Sequence, residues 1–334
     1  MKNITIEIKN MKYLDMINMN NRLHELIKEH KGNLAFSFNF NKLKWIDPAG
    51  AVVFLETVKN LEEERIELKY IDLDYTSSVI DYGLNIGVFQ ELGISSNGSK
   101  EEGFTYLSPK KVYRNEVFEY IEHYDYSIER YFDIVTEKIT NKVIGQSKMT
   151  NDNITNLFSY VIRELIRNIF DHSKAEYFYY GSQYLPNRKI VELVISDRGV
   201  GLKETIPFDV EEKWLELDTA KNAIQKAFTP GITAASNHSY APEDYWNSGF
   251  GLAMVKSLIL AADGSLSLAT SDKAITYNQT EEWYDCYIKG TILRFRVDLN
   301  KLNLVDFDKQ LDSVIQQAQL LNENFIPSKK SQTL

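Results

Sequence analysis

Over the first hundred residues, strand-period and helix-period segments alternate without interruption, and that alternation most constrains what the chain can fold into. ITIEIK and LAFSFNF read as strands, Asp15 to Glu29 and AVVFLETVKNLEEE carry helical spacing, and IELKYIDL reads as a further strand. This order predicts an α/β domain with helices packed on a sheet, over residues 1–100. Residues 101–150 are rich in Tyr, Glu and Ile with mostly helical period, and predict a helical connector. From 151 to about 300 the pattern changes. A long helix over 151–172 is followed by strands at EYFYYGSQY and KIVELVISD, a helix-rich stretch (211–228), a small-residue loop, and the helix after Gly251. A DG turn at Asp263–Gly264 then leads to strands SLSLAT and TILRFRV. Hairpin-linked strands with interspersed helices predict an α+β layer, one sheet with its helices on one face. At 334 residues the chain has room for both domains. Residues 301–334 add an amphipathic helix, with Phe307, Leu311, Ile315, Ala318, Leu321 and Phe325 as its stripe, and a polar tail.

Composition narrows the function classes. With 38 basic and 47 acidic residues the net charge is −9, which argues against broad nucleic-acid binding through phosphate neutralisation. The N-terminus MKNITIEIKN has no apolar h-region, and the best apolar run, GLAMVKSLILAA, is short and broken by Lys256. No signal peptide and no membrane span are expected, and a cytoplasmic location is. The single cysteine, Cys286, leaves no intramolecular disulfide and no cysteine-based zinc cluster.

The most informative segment is VIRELIRNIFDH, residues 161–172. Phe158, Val161, Ile162, Leu165, Ile166 and Ile169 define a face that must be buried. Glu164, Asn168 and Asp171, at i, i+4 and i+7, form a polar stripe along its border, and Arg163 and Arg167 are expected to point further round. Alone, this stripe is either a solvated helix edge or a catalytic carboxylate with a metal-binding amide one turn later.

Two further segments bear on the choice. Strand VELVIS ends in Asp197-Arg198-Gly199-Val200-Gly201, where a carboxylate past a strand end can accept from an exocyclic amine while glycines let backbone approach a planar ring. Ser248-Gly249-Phe250-Gly251-Leu252 opens a helix, and glycines at a helix N-terminus offer N–H groups and a positive dipole end to phosphate. Neither segment is a Walker loop or a dinucleotide fingerprint. With Gly290-Thr291 leading into the terminal strand, the set reads Glu-x-x-x-Asn, Asp-x-Gly-x-Gly, Gly-x-Gly and Gly-Thr, in that order.

In that order the segments resemble the four motif boxes of the GHKL superfamily, which has the Bergerat ATP-binding fold and includes gyrase-type topoisomerases, a heat-shock chaperone, mismatch-repair ATPases, sensor histidine kinases and anti-sigma-factor kinases. The resemblance covers about 150 residues. It implies that Glu164 polarises the attacking water and that Asn168 coordinates Mg2+ bridging the phosphates of ATP. It also implies that Asp197 reads the adenine amine with help from Thr291, that Gly199 and Gly201 line the ring, and that backbone around Gly249, Phe250 and Gly251 holds phosphate. Asp171 and His172 continue the stripe without an assigned role. Ile232 to Asn247, dense in small and polar residues, suits a lid over the triphosphate.

FNFNKLKWIDPAGAVVFLETV resembles the centre of a STAS domain, the fold of anti-sigma-factor antagonists, over roughly the first hundred residues. In antagonists regulated by phosphorylation a serine precedes the glycine. Here that residue is Ala49, after Pro48, so the resemblance implies a STAS-like scaffold without the phospho-switch. Three functions follow. The first is a slow Mg-dependent ATPase acting as a conformational switch toward a protein partner or second protomer. The others are an anti-sigma-type serine kinase acting on a separate STAS protein and a non-hydrolysing ATP-sensing adaptor. An autophosphorylating histidine kinase is disfavoured, because His123 in EYIEHYDYSIERY lacks the following pattern of a phosphoacceptor helix.

Overall fold

The expected alternation forms β1 (Lys2–Glu7), α1 (Tyr13–His30), β2 (Leu34–Asn39), α2 (Pro48–Glu63) and β3 (Glu67–Ile71). The structure is a computed structural model that describes residues 2–30, 34–95, 105–147, 152–232, 249–321 and 323. The three strands make a parallel sheet in the order β1-β2-β3, and α3 (Ser78–Asn85) and α4 (Val88–Glu91) follow it. A parallel strand between two others is covered on both faces, so residues 34–38 of β2 are all buried. Its one hydroxyl in that run, on Ser37, donates to Asn3 Oδ1 at 3.1 Å. Asp47 caps α2, its Oδ1 accepting the Gly50 N–H at 2.7 Å, and Pro48 occupies the first turn, where no amide donor is needed. Gly50 marks a close approach, since a Cβ there would lie 2.1 Å from the Met11 carbonyl oxygen.

The second sheet is antiparallel throughout, in the order β4-β5-β6-β8-β7. Its strands are β4 (Tyr106–Tyr113), β5 (Tyr177–Leu185), β6 (Ile190–Asp197), β7 (Ser265–Tyr277) and β8 (Glu281–Asp298). Between β4 and β5 run α5 (Arg114–Tyr124), α6 (Ile128–Ser147) and α7 (Asp152–Asn168). The short α8 (Leu202–Thr205), α9 (Val210–Trp214) and α10 (Ala220–Ala227) follow β6, α11 (Gly251–Ala261) precedes β7, and α12 (Leu299–Leu302) and α13 (Phe307–Leu321) follow β8. The apolar face predicted for α7 is buried against the sheet and α11, as its spacing requires. No helix among the described residues is long and apolar enough to cross a membrane.

Several expectations are corrected. The connector expected as helical over 101–150 opens with β4, an edge strand. Pro109 falls there at a break in register between Leu107 and Lys110, where an edge tolerates a residue without an amide donor. SLSLAT and TILRFRV are parts of one long hairpin of 13 and 18 residues, so Gly290 and Thr291 lie inside β8 rather than at its start.

The helices α6, α7 and α11 share one face of this sheet as expected, and the other face is covered by α1 and α2 of the N-terminal unit. Along β6, Val191, Leu193 and Ile195 face the core shared with α6, α7 and α11, while Glu192, Val194 and Ser196 face α1 and α2. All eleven residues from Pro48 to Val58 are buried, because α2 lies between its own parallel sheet and the antiparallel one. A buried ion pair joins them. Arg198 donates through Nη1 to Glu56 Oε2 at 3.1 Å and through Nη2 to Glu63 Oε2 at 2.6 Å, and Ser196 Oγ donates to Glu56 Oε1 at 3.3 Å. Burial pushes the Glu56 carboxyl up, and the Arg198 charge opposes that shift. Removing Glu56 leaves the buried Arg198 with only the half-exposed Glu63 as partner and takes away the acceptor of Ser196 Oγ. Glu56→Ala should therefore destabilise the protein by about 3 kcal/mol, with Glu56→Gln milder. Urea unfolding reads this, and an unchanged midpoint for Glu56→Ala would remove the pair as a stabilising element.

The C-terminal helix packs on its own core. The Phe307 ring meets Tyr160 edge-on at 5.2 Å, and Ser257 Oγ donates to Gln310 Oε1 at 2.7 Å. Val314, outside the expected stripe, is buried with Ala318, whereas Leu321 is exposed and Phe325 lies outside the described residues. Val314→Asp should lower the melting temperature by several degrees, since burying an unpaired carboxylate is costly. Leu321→Asp should leave it within error, and a reversed order would contradict this packing.

Candidate functional site

At the end of α7 the helix widens into a π turn, Ile169–Ser173, that carries Asp171 and His172, and Lys174 closes it in the left-handed region at φ 53. The carbonyl of Ser173 then receives the loop after β6. Val200 N–H donates to it at 2.9 Å, and Gly199 lies so close that a Cβ there would be 1.9 Å from the same oxygen. Only glycine fits at 199. Asp197 ends β6 and stands in register opposite Thr291 of β8. Its Oδ1 accepts the Gly199 N–H at 2.8 Å. Gly290, at φ 82, lets β8 pass close to this loop, because a Cβ would come within 2.1 Å of the Asp197 carbonyl oxygen.

These contacts bring distant segments to one cavity. Asn168, His172, Asp197, Gly201, Gly249, Gly251 and Thr291 line it together with apolar walls from Ile195, Leu202, Ile206 and Leu268. Its volume is about 90 Å³, below the roughly 300–1,000 Å³ usual for ligand pockets. Thr270 supports one side: its Oγ1 donates to the Gly290 carbonyl oxygen at 2.8 Å and accepts the Leu202 N–H at 3.2 Å. No family model matches this chain, and no curated protein matches it.

Not every residue singled out in the sequence reaches the cavity. Glu164 is fully buried behind Gly251, where a Cβ would be 2.0 Å from Glu164 Oε2. The Phe250 ring is in the core, and Gly199 packs on Ser173. Arg167, expected to point away from the stripe, instead pairs with it: its Nη2 lies 3.0 Å from Glu164 Oε2 and its Nε 3.9 Å from Asp171 Oδ2. The spacings i, i+3 and i, i+4 are the signal that could have found it, because residues so spaced are neighbours on a helix. The N-cap of α11 is Phe250, whose ring has no group to accept from the helix's first amides. The expected lid, apart from Ile232, and Ser248 lie outside the described residues.

Burial, with a smaller contribution from the Glu56 charge, pushes the Asp197 carboxyl up from 3.8 to about 7 against the Gly199 N–H, which lowers it. Between the ordinary carboxylate range and pH 7 the folded protein then holds a proton that the unfolded chain has lost. The contribution of Asp197 to stability is thus fullest below about pH 4 and falls as the pH rises through about 7. Asp197→Asn removes that dependence, because the amide keeps an oxygen for Gly199. Without ligand, the variant should gain stability relative to the parent more at pH 8 than at pH 5. Denaturant titrations at the two pH values test this, and an equal difference at both would refute the assignment.

Proposed function

We propose that the chain is an ATP-binding, Mg-dependent ATPase of GHKL type whose nucleotide pocket controls a STAS-like N-terminal unit, the whole acting as a conformational switch toward a protein partner or a second protomer. One observation carries this reading: Asn168, Asp197, Gly251 and Thr291, from four separate segments, converge on a single cavity with apolar walls. The buried Asp197 suits an exocyclic amine, and Gly201 at φ 76 keeps that wall thin. Gly251 begins a helix without a side-chain cap, which suits phosphate. Asn168 offers one amide oxygen, and magnesium is accommodated by few protein oxygens plus phosphates and water. When bound, Mg2+ would supply neutralisation of phosphate charge. Glu164, four residues before Asn168, would take the proton of the attacking water, a role worth roughly 10²–10⁴ in rate.

The switch is supported by chain connectivity. Arg198 follows the proposed adenine reader directly and holds Glu56 and Glu63 of α2, so a change in the loop after β6 is felt by the N-terminal unit. That unit offers no acceptor for phosphorylation at its own α2 start, where Ala49 is fully buried. A second reading, a non-hydrolysing ATP sensor, is favoured by one observation: Glu164 is sealed from solvent and paired with Arg167.

Binding and turnover separate these readings. ATP should bind the intact chain with Mg2+, and Asp197→Asn should weaken it by about 1–3 kcal/mol, roughly 5- to 150-fold, because the amide sets a donor against the adenine amine. With γ-labelled ATP, release of free phosphate that stops in Glu164→Ala while binding persists supports the ATPase. Binding without release supports the sensor, and absence of ATP binding by calorimetry would overturn both.

A further inference from the structure

A second cleft, of about 420 Å³, opens where the start of α2 meets the opposite end of the antiparallel sheet. Glu192 stands five residues before Asp197 on β6, about 17 Å along the strand, so the cleft is separate from the cavity described above. Asp47 and Glu192 line it at 8% and 3% exposure, and Lys12, Trp45, Arg188 and Arg296 are among the residues that line it nearer the surface.

The carboxylates are not fully served by the protein. Glu192 Oε2 accepts from Nε and Nη2 of Arg294 at 3.2 and 2.8 Å and pairs with Arg296 Nε at 3.2 Å. Its other oxygen, Oε1, is buried without a hydrogen-bond partner. A buried acceptor left unmade is unfavourable, and a ligand N–H removes that penalty. Burial and the Glu192 charge push the neighbouring Asp47 up to about 7. Toward the surface the balance reverses. Lys12 and Arg188 make no ion pair among the described residues, and the cleft has three cations to two carboxylates. The Trp45 ring is 44% exposed, with Lys12 Nζ 6.0 Å from its centroid. A flat surface, a buried acceptor and basic groups at the mouth together match one kind of molecule.

We propose that this cleft binds an amino-bearing aromatic anion of the nucleoside monophosphate class, its amine on Glu192 Oε1, its ring on Trp45 and its phosphate on Lys12 and Arg188. The proposal does not depend on the ATP reading. Calorimetric titration of the intact chain with cytidine, guanosine and uridine 5′-monophosphates tests it, because uridine alone lacks an exocyclic amine. The cytidine and guanosine nucleotides should bind saturably and the uridine nucleotide at least about tenfold more weakly, a factor set by one buried hydrogen bond. Trp45→Ala and Arg188→Ala, both at the surface, should each weaken binding about tenfold without changing the melting temperature. Asp197→Asn should leave these affinities as they are. Lack of saturable binding up to millimolar nucleotide, equal binding of all three, or insensitivity to both surface variants would overturn the proposal. Loss of binding in Asp197→Asn would also overturn it, since the ligand would then belong to the first cavity.

Discussion

The burial of α2 between two sheets is the constraint on which the rest of this structure depends. A helix covered all round cannot carry unpaired charge, yet α2 carries Glu56 near its middle, and that carboxylate is matched by Arg198 from the loop after β6. The antiparallel sheet has the reciprocal problem, because Glu192, Ser196 and Arg294 stand on or beside the face that α1 and α2 cover. Each is paired: Ser196 with Glu56, and Glu192 with Arg294 and Arg296. The interface is thus apolar in bulk and ionic at fixed points, an arrangement that holds only while all the partners are present.

That arrangement sets the geometry of the cavity. Asp197, Arg198 and Gly199 are consecutive, and each is held by a different neighbour: Thr291 of β8 stands opposite Asp197, α2 takes Arg198, and the π turn takes Gly199. Three consecutive residues bound to three layers leave the loop little freedom. Gly199 and Gly290 permit the close approaches, and the widened turn after Asn168 supplies the carbonyl that receives the loop. A ligand that displaces this loop therefore acts on α2 and on α7 together, which is the physical basis of the switch proposed for the chain.

The two clefts divide the same sheet between them. One lies at the Asp197 end of β6, on the face shared with α7 and α11, and the other near Glu192, on the face covered by α2. Both contain a buried carboxyl raised to about 7 chiefly by burial, Asp197 in the first and Asp47 in the second, but of the two only the second is lined by residues of the N-terminal unit.

Local pattern alone determined much of this protein. The alternation of strands and helices before residue 100, the cap at Asp47 with Pro48 behind it, the apolar face of α7 and the extents of β5 and β6 all follow from periodicity and turn chemistry, which act over a few residues. The motif resemblance marked nine residues, of which Asn168, Asp197, Gly201, Gly249, Gly251 and Thr291 line one cavity while Glu164, Gly199 and Phe250 lie outside its lining. What only the tertiary structure decided involves contacts across long separations. Polar residues alternate along β6 and β8, and bonds to partners more than a hundred residues away allow the face that carries them to be buried. The membership of β4 in the sheet, the pairing of Arg167 with Glu164 behind Gly251, and the passage of β8 beside the Asp197 loop depend likewise on where backbone meets backbone. Spacing along the sequence does not carry that information, because each such contact is chosen by the packing of whole layers.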